Sequence, residues 1–259
     1  MGALSVSLLG LAAVLVATTG LWGVSVRRRD ASIADPFWGP GFLLVTLTYV
    51  VAHGALTPRG ILVLGAVSAW ATRLGAHLLA RNRSHGEDPR YAAMRAHHGS
   101  RFWWVSLFTV FWLQGALLWV VSLPLLAAAT SAAPMGLWDA FGGGIFLLGF
   151  LTEAVADAQL VRFRADPANR GTVLDRGLWR YSRHPNYFGD AVLWWGLYLV
   201  GVGGGGWWAF PGPLLMTFLL VKVSGVALLE RTLIDARPGY ADYVRRTSAF
   251  VPWPPRRTD

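Results

Sequence analysis

Seven apolar runs separated by polar or strongly basic intervals account for most of the chain, at approximately 3–24, 37–56, 60–80, 102–128, 137–159, 187–204 and 207–229. Each approaches the roughly 20 residues with which an α-helix crosses about 30 Å of hydrocarbon. The pattern predicts an all-α, polytopic integral membrane protein with seven transmembrane helices in a single membrane domain, 1–259, without a soluble domain or internal repeat. No basic stretch precedes the first run, whereas Arg27, Arg28 and Arg29 follow it. That order suits a retained helix better than a cleaved signal peptide. Pro124 and the Pro211/Pro213 pair fall near helix ends, where a kink or a frayed start is tolerated.

Composition agrees: 54% of residues are hydrophobic and 14% charged, outside the usual range of a soluble domain. The net charge of +9 suggests nucleic acid until the charges are placed along the chain. Of 23 basic residues, all except Arg59, Arg73 and Lys222 fall in 27–29, 81–101, 162–183 and 231–257. Those intervals share one side if the N-terminus is outside and the C-terminus cytoplasmic, as the positive-inside rule requires. The basicity thus reports topology, and no nucleic-acid partner is expected. The chain has no cysteine, which excludes disulfides, thiolate metal sites and cysteine nucleophiles. No metal site is expected.

Two glycine clusters have plain readings. GVGGGG at 201–206 satisfies the dinucleotide fingerprint literally, but no strand precedes it, and a short flexible connection between spans is the better account. Gly142, Gly143 and Gly144 favour close approach of helices in lipid.

Chemistry concentrates at the inner ends of the later helices. RYSRHPNYFG at 180–189 leads into the sixth run. Pro185 suits a first helical turn, and Arg180, Arg183 and His184 place donors beside that N-terminus, where an anion is favoured. Headgroup anchoring by the arginines, with Tyr187 in an interfacial aromatic belt, is the alternative. Glu153 and Asp157 lie four apart on one helical face, followed by Arg162 and Arg164. Ionisable residues within spans usually face an interior cavity, which makes Glu153, Asp157 and Asp190 site candidates. A structural salt bridge is the competing role for Asp157. After the last run, 228–255 carries Glu230, Arg231, Asp235, Tyr240 and Tyr243. Three such clusters on one side predict a pocket for a polyanionic ligand. In the second span Tyr49 and His53 stand one helical turn apart in apolar surroundings and are the candidate proton donors, with Arg73 and His77 a similar pair in the third. His53, near the outer end, can also be read as a residue that meets water.

The blocks EDPRYAAMR (87–95), ADAQLVRFRADPANRG (156–171) and GLWRYSRHPNYFGD (177–190), with the Tyr-rich tail ending in FVPWPP, resemble the bacterial DUF1295-type branch of the steroid 5α-reductase superfamily. The resemblance covers about residues 60–255, although an RHPxY block is shared with isoprenylcysteine and phospholipid methyltransferases. It implies a seven-helix protein of the bacterial inner membrane, with substrate-side helices in 1–130 and cofactor-side helices in 131–259. It also implies a cytoplasm-facing NADPH pocket and a cavity for a hydrophobic enone or other lipid substrate. On that basis Glu153, Asp157 and Arg164 match a polar segment used on the cofactor, and Asn186 matches the Asn of the reductases' block. Glu230 opens the cluster after the seventh helix, and Tyr240 and Tyr243 resemble tyrosines of sterol reductases. With Arg183, His184, Tyr187 and Arg231 these form the expected cofactor set. The front half departs: where steroid reductases carry a Gln-Glu pair and a Tyr on helices two and three, this chain has Tyr49, His53, Gly54, Trp70 and Arg73. The expected reaction is hydride transfer from NADPH to the β-carbon of an activated alkene. Two alternatives remain: an S-adenosylmethionine-dependent lipid or isoprenylcysteine-type methyltransferase, and a non-enzymatic lipid-binding or transport module.

Overall fold

The computed structural model describes residues 1–82, 86–223 and 239–256; Glu230, Arg231 and Asp235 lie outside the described residues. Every regular element among the described residues is helical, and strand-like pairing is confined to an isolated bridge between Ser182 and Ser248. Four helical stretches are long and apolar enough to cross a membrane: Ala3–Arg28, Pro58–Ala80, Pro89–Val121 and Leu137–Ala165. They correspond to the first, third, fourth and fifth apolar runs. Trp38–His53 and Trp207–Val223 are apolar but shorter. The sixth run forms Pro185–Gly203, whose first turns carry Asn186 and Asp190.

The chain divides into two compact units, Met1–Asp139 with Val200–Gly212, and Ala140–Leu199 with Pro213–Asp259. Unit 1 holds α1 (Ala3–Arg28), α2 (Trp38–His53), α3 (Pro58–Asn82), α4 (Pro89–His98), α5 (Phe102–Ser106), α6 (Leu113–Val121) and α7 (Leu123–Ala129). A π-helical turn, Leu107–Trp112, joins α5 to α6. The 102–128 run is therefore not one helix. Pro124 has no N–H to offer the helical ladder, Ser122 sits at ψ −2°, and the Leu125 N–H returns to Ser122 O at 2.9 Å. Phe42, Tyr49 and Trp70 are wholly buried, with the Phe42 and Trp70 rings edge-to-face at 5.6 Å.

Two polar devices hold unit 1. The first clips the segment after α1 to the start of α4. Glu87 accepts from the Ala31 N–H at 2.8 Å and pairs with Arg95, while Asp35 accepts from Arg90 at 2.7 Å and from the Tyr91 hydroxyl at 2.6 Å. The Arg95 guanidinium holds the Glu87 carboxyl below the ordinary carboxylate range. EDPRYAAMR thus has a structural task. The second device is buried. Arg59 in the first turn of α3 uses all five N–H donors: two go to the Asp139 carboxylate at 2.7 and 2.9 Å, and three to Ser131 Oγ, Ala133 O and Pro134 O, each at 3.0 Å. Both charged side chains are 1% exposed. GVGGGG forms a turn: the Gly204 and Gly206 N–H groups both bond Gly201 O at 2.9 Å, and Gly205 takes φ 85°.

Unit 2 contains α8 (Leu137–Ala165, from Ala140), α9 (Pro185–Gly203, to Leu199), α10 (Pro211–Phe218, from Pro213) and α11 (Tyr240–Arg246). In it α8 and α9 meet backbone to backbone. A Cβ on Gly149 would lie 2.4 Å from Leu193 N, one on Gly189 would lie 2.5 Å from Glu153 N, and one on Gly196 would lie 2.4 Å from Phe146 N and 2.7 Å from Gly142 O. The expected close approach at Gly142 is present, whereas Gly143 and Gly144 face open space.

Candidate functional site

The glycine seam positions the polar groups of unit 2. Glu153 lies on α8 directly opposite Gly189, and Asp157 follows one turn later on the same face, 3% and 5% exposed. Pro185 opens α9, as a residue without an N–H should. This start places Asn186 against α8, where its Nδ2 donates to Asp157 Oδ1 at 3.1 Å. The other amide atom, Asn186 Oδ1, is buried and accepts no hydrogen bond among the described residues. Asp190, one turn further along α9, is also buried. The His184 and Tyr187 rings stack with centroids 5.6 Å apart and planes nearly parallel, 4° apart.

The loop before α9 is folded onto α8 and the C-terminal segment. Trp179 Nε1 donates to Ala156 O at 3.1 Å, and the Leu178 N–H to Gln159 Oε1 at 3.0 Å. Ser182 donates to Phe250 O at 2.8 Å, and the Trp253 N–H returns to Tyr181 O at 2.9 Å. Arg183 reaches the end of α11, its Nη1 donating to Val244 O and Thr247 O, so it satisfies carbonyls that a helix C-terminus leaves open. Tyr243 donates to Trp179 O, and burial raises its hydroxyl above the usual phenol range. Tyr240 is buried beside it, ring centroids 5.8 Å apart. Arg164 is exposed near the end of α8.

Nine of the expected cofactor residues, Glu153, Asp157, Arg164, Arg183, His184, Asn186, Tyr187, Tyr240 and Tyr243, thus belong to unit 2. Glu153, Asp157, Asn186 and Asp190 gather along the α8/α9 seam. Arg183 and Tyr243 bind the loop before α9 to the tail. Gln159 and Trp179 carry no charge and, although they lie within the 156–171 and 177–190 blocks, were not among the expected site residues, yet they fix that loop to α8.

The candidate proton donors belong to unit 1. Tyr49 is wholly buried and its hydroxyl lies 2.8 Å from Ser122 Oγ. Ser122 in turn donates to Trp119 O at 2.7 Å, so Tyr49 is the donor of the pair. His53 is the last residue of α2, half-buried, before Gly54 at φ 83°. Arg73 and His77 are half-buried on α3.

The family model described as protein of unknown function (DUF1295) matches residues 21–247. An uncharacterized protein of Schizosaccharomyces pombe is 26% identical over 268 aligned positions, which take in 90% of this chain and 75% of that protein. No solved structure matches the chain. The family match runs through both units and past the last site residue, Tyr243, and the chain belongs to the DUF1295 family.

Proposed function

We propose that the chain is a membrane-embedded NADPH-dependent reductase of the steroid 5α-reductase superfamily. In this reading it is a seven-span protein of the bacterial inner membrane, with its N-terminus outside and its nucleotide pocket facing the cytoplasm. The observation that carries the reading is the buried Asn186 Oδ1, set beside Asp157 on the seam and lacking a donor among the described residues. A buried acceptor left unmet costs about 1–3 kcal/mol, and a ligand bearing N–H or O–H groups removes that cost.

The surrounding groups fit a dinucleotide. Carboxylates at Glu153 and Asp157 accept from ribose hydroxyls, Asn186 Oδ1 accepts from a carboxamide or ring amine, and the parallel His184 and Tyr187 rings offer a face to a planar base. Exposed Arg164 suits a phosphate. Arg183 acts at one remove, by holding the tail against the loop before α9. When bound, the dinucleotide supplies hydride to an electron-poor alkene carbon of a hydrophobic substrate. The chain itself must donate to the carbonyl oxygen on which charge develops, the role assigned to Tyr49 and His53. Tyr49 takes that role only by exchanging its bond to Ser122.

A second reading has its own support. Three carboxylates along the seam, Glu153, Asp157 and Asp190, suit the sulfonium of S-adenosylmethionine as well as ribose hydroxyls. Calorimetric titration of the detergent-solubilised protein with NADPH, NADH and S-adenosylmethionine separates the cases. The reductase reading expects NADPH to bind more tightly than NADH, with affinity falling as salt rises. Binding of the methyl donor alone overturns it in favour of a methyltransferase, and binding of none leaves a lipid-binding or transport module.

A further inference from the structure

In unit 1 a cleft of about 520 Å³ opens between the end of α1 and the start of α5, a size in the range of small-molecule sites. Ser25 and Arg29 line it from one side, and Arg95, Ser100, Trp103 and Ser106 from the other. The lining is mixed: Val26, Phe102 and Trp103 are apolar, and Ser25 and Ser106 are buried serines, 2% and 1% exposed. Ser106 donates to Trp103 O at 3.1 Å, which leaves its oxygen free to accept.

The mouth is cationic. Arg29 is the only non-glycine residue at positive φ among the described residues, φ 53°, where it caps α1 with its N–H on Ser25 O and Val26 O. Its side chain is exposed and has no ion-pair partner among the described residues. Arg95 is held by both oxygens of Glu87 and lies 4.6 Å over the Phe102 ring. Glu87 and the nearby Asp30 answer the charge of Arg95, which leaves Arg29 as the guanidinium at the mouth without an ion-pair partner among the described residues, able to meet one phosphodiester. The height in the bilayer is given by tryptophans: Trp103 and Trp104 are 54% and 44% exposed, and Trp22 donates to Trp103 O. Exposed Trp clusters sit at the headgroup level of a bilayer.

We propose that this cleft is a headgroup site for an anionic phospholipid. The phosphodiester sits on Arg29, a headgroup hydroxyl donates to Ser106 Oγ, and the acyl chains leave past Trp103 into the hydrocarbon. The proposal is independent of the nucleotide reading.

Native mass spectrometry of the full chain, titrated with phosphatidylglycerol or phosphatidylcholine, tests it. The wild type is expected to retain phosphatidylglycerol preferentially. Arg29→Ala removes a charge-assisted contact and should weaken that retention roughly tenfold. Arg28→Ala makes the same change of net charge beside the cleft and should leave retention unaltered. Ser100→Trp keeps every charge but fills the mouth from an exposed position, and should abolish the preference. Equal losses in Arg28→Ala and Arg29→Ala overturn the proposal in favour of diffuse attraction to the membrane surface, and so does full retention by Ser100→Trp. Displacement of the lipid by millimolar inorganic phosphate or glycerol phosphate would make the occupant a soluble phosphate and overturn the lipid assignment.

Discussion

Removing one partner of the Arg59–Asp139 pair should be among the most damaging single changes available to this chain. Both side chains are 1% exposed, and Arg59 places every donor on an acceptor. Asp139→Asn leaves a guanidinium buried without its counter-charge, a change that typically costs about 3–5 kcal/mol. For a chain of this size that corresponds to a fall in Tm of roughly 6–20 °C. Arg59→Met strands the carboxylate and also deprives Ser131 Oγ, Ala133 O and Pro134 O of a donor, so it should be at least as severe. The double replacement Arg59→Met with Asp139→Leu removes both charges and recovers the electrostatic part of the loss. It should not restore the wild type in full, because Ser131 Oγ, Ala133 O, Pro134 O and the Gly136 N–H, which donates to Asp139 at 2.8 Å, lose their partners and must turn to water. Thermal unfolding in one detergent, with monodispersity checked by size exclusion, measures all three. If Asp139→Asn costs under about 1 kcal/mol, the pair behaves as a solvated surface pair and the account given for it fails.

Asn186→Ala and Arg164→Ala should each weaken NADPH binding by about one to two decades while the protein stays monodisperse, and Arg28→Ala should not; calorimetry reads all three. Gly189→Leu forces a side chain into backbone only 2.5 Å away, so it should lower Tm and weaken NADPH binding together. The Glu87 carboxyl is held below its ordinary value of 4.5, so its pairing stabilises the fold fully above that pH and is lost as pH falls through the lower folded value. Melting curves from pH 6 to 3 should therefore show a steeper acid-side decline in the wild type than in Glu87→Gln. A cysteine at exposed Ala132 should react with an impermeant thiol reagent from outside intact cells; labelling only after the inner side is opened would reverse the proposed orientation. Ala132 is preferable to Ser131, whose hydroxyl accepts from Arg59.

Helices are readable here because lipid imposes the same demand on every span: apolar length, with backbone groups paired within the segment. Pro185 marks the start of α9, and the four-residue spacing of Glu153 and Asp157 puts both on the buried face. Hydropathy has no means of recording the break at Ser122. That break arises from one missing N–H at Pro124 inside an uninterrupted apolar run. Long-range pairing is equally silent: Arg59 stands 80 positions from Asp139, and Arg90 stands 55 from Asp35. Along the sequence Arg59 is a lone cation between the second and third apolar runs, and only the fold reveals that its charge is cancelled. The RYSRHPNYFG block divides by position. Asn186 and Asp190 sit on the seam, whereas Arg183 lies close enough to the C-terminal tail to be taken up by its carbonyls.

The seam between α8 and α9 bears on how a mutational scan of this protein should be interpreted. Gly149, Gly189 and Gly196 admit no added carbon, so every substitution at them should be scored as deleterious, as severely as a change to a reactive group. Intolerance at those positions would be the signature of distance, since these residues have no side chain to offer a ligand. A scan ranked by severity alone would place three silent spacers among the chemistry. Sorting it by whether stability or binding fails first would return Asn186 to one class and the glycines to the other.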